Sequence, residues 1–188
     1  MLLVLLLHSL VAVEKLQYEV IASYPHDPEA WTQGLYYEDG VLYESTGIYE
    51  KSTLRRVDLK TGRVLQKHSL SDHYFAEGMT LFEGKLYQLT WLSKKGFIYD
   101  PKSFEQIRTF QYPGEGWGLT HDSSHLIMSD GSAKIYFMDP ETMETERSIT
   151  VRFGSRVVPE LNELEYVGGY IYANVWYQNI ILKIDPAN

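Results

Sequence analysis

The sequence contains no cysteine, no cluster of basic residues and no apolar run long enough to cross a bilayer. Without cysteine the chain has no disulfide, no thiolate to offer a metal and no cysteine nucleophile. Its formal net charge of −8 argues against binding to nucleic acid, because phosphate recognition needs a clustered basic surface. The six histidines show no spacing typical of a zinc site, so we expect no metal and no other cofactor.

An apolar stretch at residues 1–13 bears on where the protein resides. It is shorter than the roughly 20 residues that a membrane-spanning helix needs, so no stable membrane span is expected. It fits the apolar core of a secretory signal with a cleavage edge at Ala12 or Val13, and this predicts a secreted or extracytoplasmic protein. No Lys or Arg precedes the stretch, so a trimmed membrane anchor or a mis-started reading frame stays open as an alternative.

The sequence does contain a short stretch that is repeated four times. The four copies are Gln33-Gly34-Leu35, Glu77-Gly78-Met79, Trp117-Gly118-Leu119 and Asn162-Glu163-Leu164. The second position is glycine in three copies and the third is always a large apolar residue, whereas the first position varies freely. A repeat that keeps its scaffold positions and varies one position is expected to use that position in function.

Each copy begins an alternating run that is followed by a turn and further strands. The predicted hairpin turns lie at 38–40, 83–85, 121–124 and 168–169. Four strands in about 40 to 45 residues is the period of a β-propeller blade, so we predict an all-β propeller domain over residues 16–188 with four blades. A further strand is predicted at Leu16–Tyr24, and the fourth strand of the third copy at Glu146–Phe153. Either the strand at Leu16–Tyr24 completes the last blade and closes a four-bladed ring, or the absence of a fourth strand after the last copy reflects a missing C-terminal blade.

Equivalent positions of successive blades converge at one mouth of a propeller, because the first strand of each blade lines the central channel. The varied positions Gln33, Glu77, Trp117 and Asn162 are therefore predicted to face one another. The ends of the second strands add Gly47, Trp91, Gly131 and Trp176, and two residues before the first two copies stand Trp31 and Phe75. The predicted site is an aromatic-walled pocket with one acid and two side-chain amides.

Six motifs in order extend this pattern over residues 24–185. They are Trp31-Thr32-Gln33-Gly34-Leu35, Phe75-Ala76-Glu77-Gly78-Met79-Thr80, Leu89-Thr90-Trp91, Gly114-Glu115-Gly116-Trp117-Gly118-Leu119-Thr120, Leu161-Asn162-Glu163-Leu164-Glu165 and Ala173-Asn174-Val175-Trp176. In these motifs the chain resembles the plant-type glutaminyl cyclases (glutamine cyclotransferases), which are five-bladed propellers. The resemblance implies an exported aminoacyltransferase that converts the N-terminal glutamine of peptides or proteins to pyroglutamate and releases ammonia.

Carried over by position, the resemblance implies that Glu77 is the catalytic general acid/base. It implies substrate contacts from Gln33, Asn162, Trp91, Trp117 and Trp176, and an apolar wall from Phe75 and Trp31. Family members carry a further blade with a lysine-bearing strand at the site, and this chain shows no counterpart. The alternative is thus a truncated, inactive propeller that binds peptides or proteins, and in either case we expect a monomer.

The chemistry of the predicted pocket follows from desolvation of its acid. Burial of Glu77 among aromatic side chains is expected to raise its pKa, which suits a group that takes up and returns a proton. Indole N–H and amide groups are donors expected to stabilise the developing oxyanion. Simpler interpretations stand beside these: Glu77 as a solvated turn residue, the tryptophans as blade packing, and the two amides as partners for backbone groups.

Overall fold

Strands make up all the regular secondary structure of residues 14–187, the part of the chain that the computed structural model describes. The seventeen strands form four larger antiparallel sheets and one small hairpin. Nothing in this part of the chain forms a helix that is long and apolar enough to span a membrane. The predicted signal or anchor at residues 1–13 lies outside the described residues.

The four sheets follow one another along the chain, and we number them as blades 1 to 4. Blade 1 contains β1 (Thr32–Glu38), β2 (Val41–Thr46), β3 (Thr53–Asp58) and β4 (Val64–Ser69). Blade 2 contains β5 (Ala76–Phe82), β6 (Lys85–Thr90), β7 (Lys95–Tyr99) and β8 (Gln106–Gln111). Blade 3 contains β9 (Leu119–His121), β10 (Leu126–Ser129), β11 (Lys134–Met138) and β12 (Thr145–Thr150). The small hairpin, β13 (Arg152–Phe153) and β14 (Arg156–Val157), precedes blade 4, which contains β15 (Leu161–Val167), β16 (Tyr170–Val175) and β17 (Ile181–Ile184).

Local turn chemistry explains the hairpins that open blades 1, 2 and 4. Each connects its first two strands through two residues with positive φ, at 39–40, 83–84 and 168–169. Two-residue hairpins favour such turns because their twist matches that of the flanking strands, and glycine adopts positive φ without a steric cost. Every one of these turns ends in glycine. Three of the four predicted hairpin turns are thereby confirmed, and the fourth connection, between β9 and β10, lies at residues 122–125.

The inner strands of successive blades pack closely because the repeated glycine has no side chain. A methyl group added at Gly34 would lie 2.7 Å from the Met79 nitrogen in blade 2. The same addition at Gly78 would lie 2.5 Å from the Leu119 nitrogen in blade 3. Buried apolar clusters fill the spaces between blades 1 and 2, 2 and 3, and 3 and 4. This arrangement is the predicted β-propeller, with four blades in this chain.

Two strand predictions are wrong. Leu16–Tyr24 forms no strand, and side chains such as Tyr18 and Ile21 are 91% and 92% exposed, since no strand of the described residues bonds to its backbone. Blade 4 accordingly keeps three strands within the described residues. The predicted strand from Glu146 to Phe153 is divided, because buried Val151 bonds back to Ala133 and the chain then turns into the β13–β14 hairpin.

Candidate active site

Glu77 lies at the start of β5, where it is 5% exposed. The Gln33 side chain donates a hydrogen bond from Nε2 to Glu77 Oε2 at 2.6 Å, and thus joins blades 1 and 2. The Ser45 hydroxyl donates to the backbone carbonyl of Glu77 at 2.5 Å. Side chain and backbone of Glu77 are therefore both held by blade 1, which excludes the interpretation of a solvated turn residue.

A β-bulge presents the varied residue in three of the four repeats. The β1–β2 register shifts between Thr32 and Gly34, which brackets Gln33. The β5–β6 register shifts across the segment that contains Glu77, and the β15–β16 register shifts across the segment that contains Asn162. A bulge leaves a residue outside the regular ladder and redirects its side chain. The same local device thus sets these three side chains at equivalent places in their blades.

Burial raises the pKa of Glu77 to about 8. The hydrogen bond from Gln33 opposes this shift, and the negative charge of Glu115 adds to it. Most Glu77 carboxyls are consequently protonated at neutral pH, and a modest change in conditions ionises them. The expected upward shift in this pKa is confirmed, and its main cause is desolvation of the carboxyl.

Aromatic side chains extend from blade 2 through blade 3 to blade 4. Phe75 and Trp91 meet edge to face with ring centroids 5.7 Å apart, and Trp117 and Trp176 do so at 5.2 Å. Glu115 joins these two pairs, because its Oε2 accepts hydrogen bonds from Trp91 Nε1 at 2.6 Å and Trp117 Nε1 at 3.0 Å. The structure thus brings four of the predicted aromatic residues into one connected group.

The indole hydrogen bonds correct one expectation. Trp91 and Trp117 donate their N–H groups to Glu115, and Gln33 donates to Glu77. An indole N–H makes one hydrogen bond, so these two indoles are not free oxyanion donors in this state. The two indoles instead give the site apolar surface, and their N–H groups hold the Glu115 carboxylate between them.

Among the described residues, no ring contact or side-chain hydrogen bond joins Trp31 or Asn162 to this group. The Trp31 side chain is 61% exposed and lines a separate cavity of about 360 Å³ on blade 1, while its carbonyl accepts a hydrogen bond from Gly47. At Asn162 the backbone carbonyl, rather than the side chain, accepts a hydrogen bond from Ser129 at 2.6 Å. Substrate contact by either side chain remains a prediction.

Three residues that the repeat pattern did not single out contact the predicted walls. Glu115 bonds two indoles, Tyr49 meets Phe75 edge to face at 5.5 Å, and Tyr177 stacks on Trp176 at 4.1 Å. Each lies one or two residues from a repeat position, and that adjacency was the available signal. Among residues 14–187 no three His, Asp or Glu side chains are grouped so as to hold a metal ion.

Successive antiparallel blades that bring a buried acid and indole walls together define this chain as a β-propeller with an acid-containing aromatic site. The chain belongs to the glutamine cyclotransferase family, whose family model matches residues 5–188. It is 44% identical over 170 residues to a glutaminyl-peptide cyclotransferase of Arabidopsis thaliana, a match that covers 89% of this chain and 53% of the relative. The chain therefore spans about half the length of that curated relative.

Solved structures show the same relationship. The glutaminyl cyclase of Myxococcus xanthus matches with a TM-score of 0.84 and 36% identity, over 90% of this chain and 72% of that one. A Bacteroides caccae protein of unknown function matches with a TM-score of 0.64 and 14% identity, over 82% of this chain and 63% of that one. At so low an identity the second likeness shows the fold alone.

Proposed function

We propose that this protein is a glutaminyl-peptide cyclotransferase, which converts the N-terminal glutamine of a peptide or protein to pyroglutamate with Glu77 as general acid/base. The observation that carries the proposal is the buried Glu77 carboxyl, held by Gln33 and with a pKa raised to about 8. Family membership and the named activity of the relatives support the same chemistry.

The reaction forms one C–N bond and breaks another. The α-amino nitrogen attacks the side-chain amide carbon of the same glutamine, and the amide nitrogen departs as ammonia. One proton leaves the attacking nitrogen and one joins the departing nitrogen, so a single group can carry out both transfers. Protonated Glu77 donates to the leaving nitrogen, and the resulting carboxylate takes the proton from the attacking nitrogen.

The pKa of Glu77 is well matched to this exchange. An α-amine has a reference pKa of about 7.7 to 8.0, close to the value near 8 of Glu77. The productive complex therefore holds one proton between amine and carboxyl at a small free-energy cost. When both groups are protonated the amine cannot attack, and when neither is protonated the leaving nitrogen has no acid. We expect a bell-shaped pH profile of kcat/KM with its maximum near pH 8.

The test is incubation with a glutamine-initiated peptide while ammonia release is measured. Glu77→Gln keeps the size of the side chain and removes the proton shuttle, so kcat is expected to fall by roughly 10²- to 10⁴-fold. The matched control is Glu105→Gln on the exposed β7–β8 turn, which is expected to leave kcat unchanged. Ammonia release that survives Glu77→Gln would defeat the proposal, and peptide binding without any turnover would favour the binding-module alternative.

Export and a monomeric state are also proposed, and each has its own support. The apolar stretch at 1–13 supports a secreted or extracytoplasmic location through its likeness to a signal peptide. The monomer rests on the enclosure of the cores between blades of one chain, which requires no second copy.

A further inference from the structure

Glu115 occupies an unusual position between two indoles. It lies in the connection between β8 and β9, and its half-buried side chain reaches both Trp91 and Trp117. A single oxygen, Oε2, accepts both indole hydrogen bonds. Within residues 14–187 no hydrogen bond engages the second oxygen, Oε1. The carboxylate is therefore firmly placed by one oxygen and keeps acceptor capacity on the other.

The negative charge of Glu115 is not neutralised by an ion pair within the described part of the chain. No Lys, Arg or His among those residues forms a salt bridge with Glu115. Its charge nevertheless acts on the site, since it contributes to the raised pKa of Glu77. Because Glu77 is mostly protonated at neutral pH, Glu115 is the acid that supplies negative charge between the indole walls.

Such a group suits a cationic ligand. An ammonium is attracted to a partly desolvated carboxylate, and Glu115 presents one that two indole N–H groups hold in place. The proposed substrate carries an ammonium at its N-terminus, whereas a glutamine inside a chain or behind a blocked terminus carries none. A carboxylate between two tryptophans can therefore distinguish the terminal residue from the others.

We propose that Glu115 is the specificity-determining residue that recognises the positively charged α-amino terminus of the substrate between Trp91 and Trp117. This inference rests on the proposed function, because it assigns a subsite within the same active site. The Glu115 carboxylate binds the terminal ammonium, which releases one proton to solvent before its nitrogen attacks. Protonated Glu77 then gives its proton to the leaving nitrogen and takes the second proton from the attacking nitrogen. The two acids divide recognition and catalysis between them.

The test compares two peptides that differ only in charge at the first residue. One begins with glutamine, and the other has hydrogen in place of the α-amine. Binding is measured by calorimetry in a Glu77→Gln background, where turnover is suppressed and the neutral amide mimics the protonated carboxyl. We expect Glu115→Gln to weaken the amine-bearing peptide about tenfold, as loss of one charge contact predicts, and to leave the des-amino peptide unchanged.

Glu115→Gln keeps a side-chain oxygen that can accept the indole hydrogen bonds, so it isolates the charge. The control Glu105→Gln removes the same charge from an exposed turn and is expected to change neither affinity. Equal weakening of both peptides by Glu115→Gln would indicate that Glu115 only supports the rings and would overturn the inference. An absence of any preference for the amine before mutation would overturn it as well.

Failure here is distinguishable from failure of the proposed function. If the protein prefers the amine-bearing peptide through Glu115 but releases no ammonia, the recognition inference stands and the cyclase activity is wrong. If ammonia is released and Glu115→Gln leaves the preference intact, the activity stands and the inference is wrong. The binding measurement thus tests the recognition by Glu115, and the ammonia measurement tests the cyclase activity.

Discussion

At the scale of single residues, the protein holds acids that folding keeps neutral. Burial raises the pKa of Glu77 to about 8 and that of Glu163 well above its ordinary value of 4.5. Negative charge on Glu165, and on Glu77 once it ionises, adds to the shift at Glu163. Glu163 occupies the repeat position that is glycine in the other three copies. Its carboxyl therefore costs stability when it ionises, and the proposed chemistry does not require it.

The prediction for Glu163 concerns stability against pH. A carboxyl whose pKa is raised in the folded state binds more protons there than in the unfolded state. The contribution of Glu163 to stability is therefore most favourable below its unfolded pKa near 4.5 and falls as the pH rises towards its folded pKa. Glu163→Gln removes this contribution. We expect the variant to unfold at a higher temperature than the parent at pH 8, and the slope of unfolding free energy against pH to be less negative by up to about 1.4 kcal/mol per pH unit.

Thermal and urea unfolding between pH 4 and 9 measures this slope. Glu105→Gln serves as the control, because it removes a carboxyl that is exposed to solvent in the folded protein. A Glu163→Gln variant with the parental slope, or a steeper one, would show that Glu163 is not neutral in the folded protein.

At the scale of elements, the ends of strands place the aromatic walls. Trp117 precedes β9, and Gly131 follows β10 directly beneath its ring. A methyl group added at Gly131 would lie 2.5 Å from the Trp117 ring, a distance that no packed structure tolerates. Gly131 also has a φ of 76°, in the region that favours glycine. Close approach and backbone conformation thus both require glycine here.

Gly131→Ala is predicted to move Trp117 and so to impair the site. Gly84→Ala is the matched control, since Gly84 has a similar φ of 71° but no heavy atom within 4 Å of an added methyl group. Both variants should lose about 1–2 kcal/mol of stability from the left-handed backbone. Only Gly131→Ala should also raise KM, by about tenfold, and change the near-ultraviolet circular dichroism of the tryptophans. Identical effects from the two variants would contradict the role of Gly131 in placing the ring.

At the scale of the whole molecule, buried hydroxyls connect successive blades. The Ser129 side chain accepts a hydrogen bond from Gly118 at 2.8 Å and donates to the carbonyl of Asn162 at 2.6 Å, which joins blades 3 and 4. Ser45 connects blades 1 and 2 in the same way through the carbonyl of Glu77. The connected carbonyls belong to varied repeat positions, so the contacts that join neighbouring blades also position the site.

Ser129→Ala leaves a buried carbonyl and a buried amide without this partner. We expect it to lower the free energy of unfolding by about 1–3 kcal/mol and the Tm by several degrees, while unfolding stays cooperative. Ser155→Ala, in the exposed β13–β14 turn, is expected to leave Tm unchanged. Calorimetry decides between them, and equal Tm values would show that the hydroxyl does not couple the blades.

Much of the fold could be predicted because its signals are local or periodic. The conformation of turns such as Asp39-Gly40 and Gly168-Gly169 can be predicted from the two adjacent residues alone. The recurring glycine indicates where the inner strands of neighbouring blades pack closely. The strand predicted at Leu16–Tyr24 failed because a strand also needs a partner, which its own composition does not supply. The grouping of Gln33 with Glu77 followed from the repeat, whereas the contact of Glu115 with two indoles depended on the path of the β8–β9 connection.

The sequence by itself predicted the blade repeat, the hairpins and Glu77 as the acid of the site, because the signal for each lies in neighbouring residues or in a regular period. Only the tertiary structure decided that the Trp91 and Trp117 N–H groups turn towards Glu115 and that burial brings the pKa of Glu77 to about 8. Hydrogen-bond partners and desolvation depend on which atoms meet in space. Trp91 and Glu115 lie 24 residues apart in the chain, and only folding brings their side chains to a hydrogen bond of 2.6 Å.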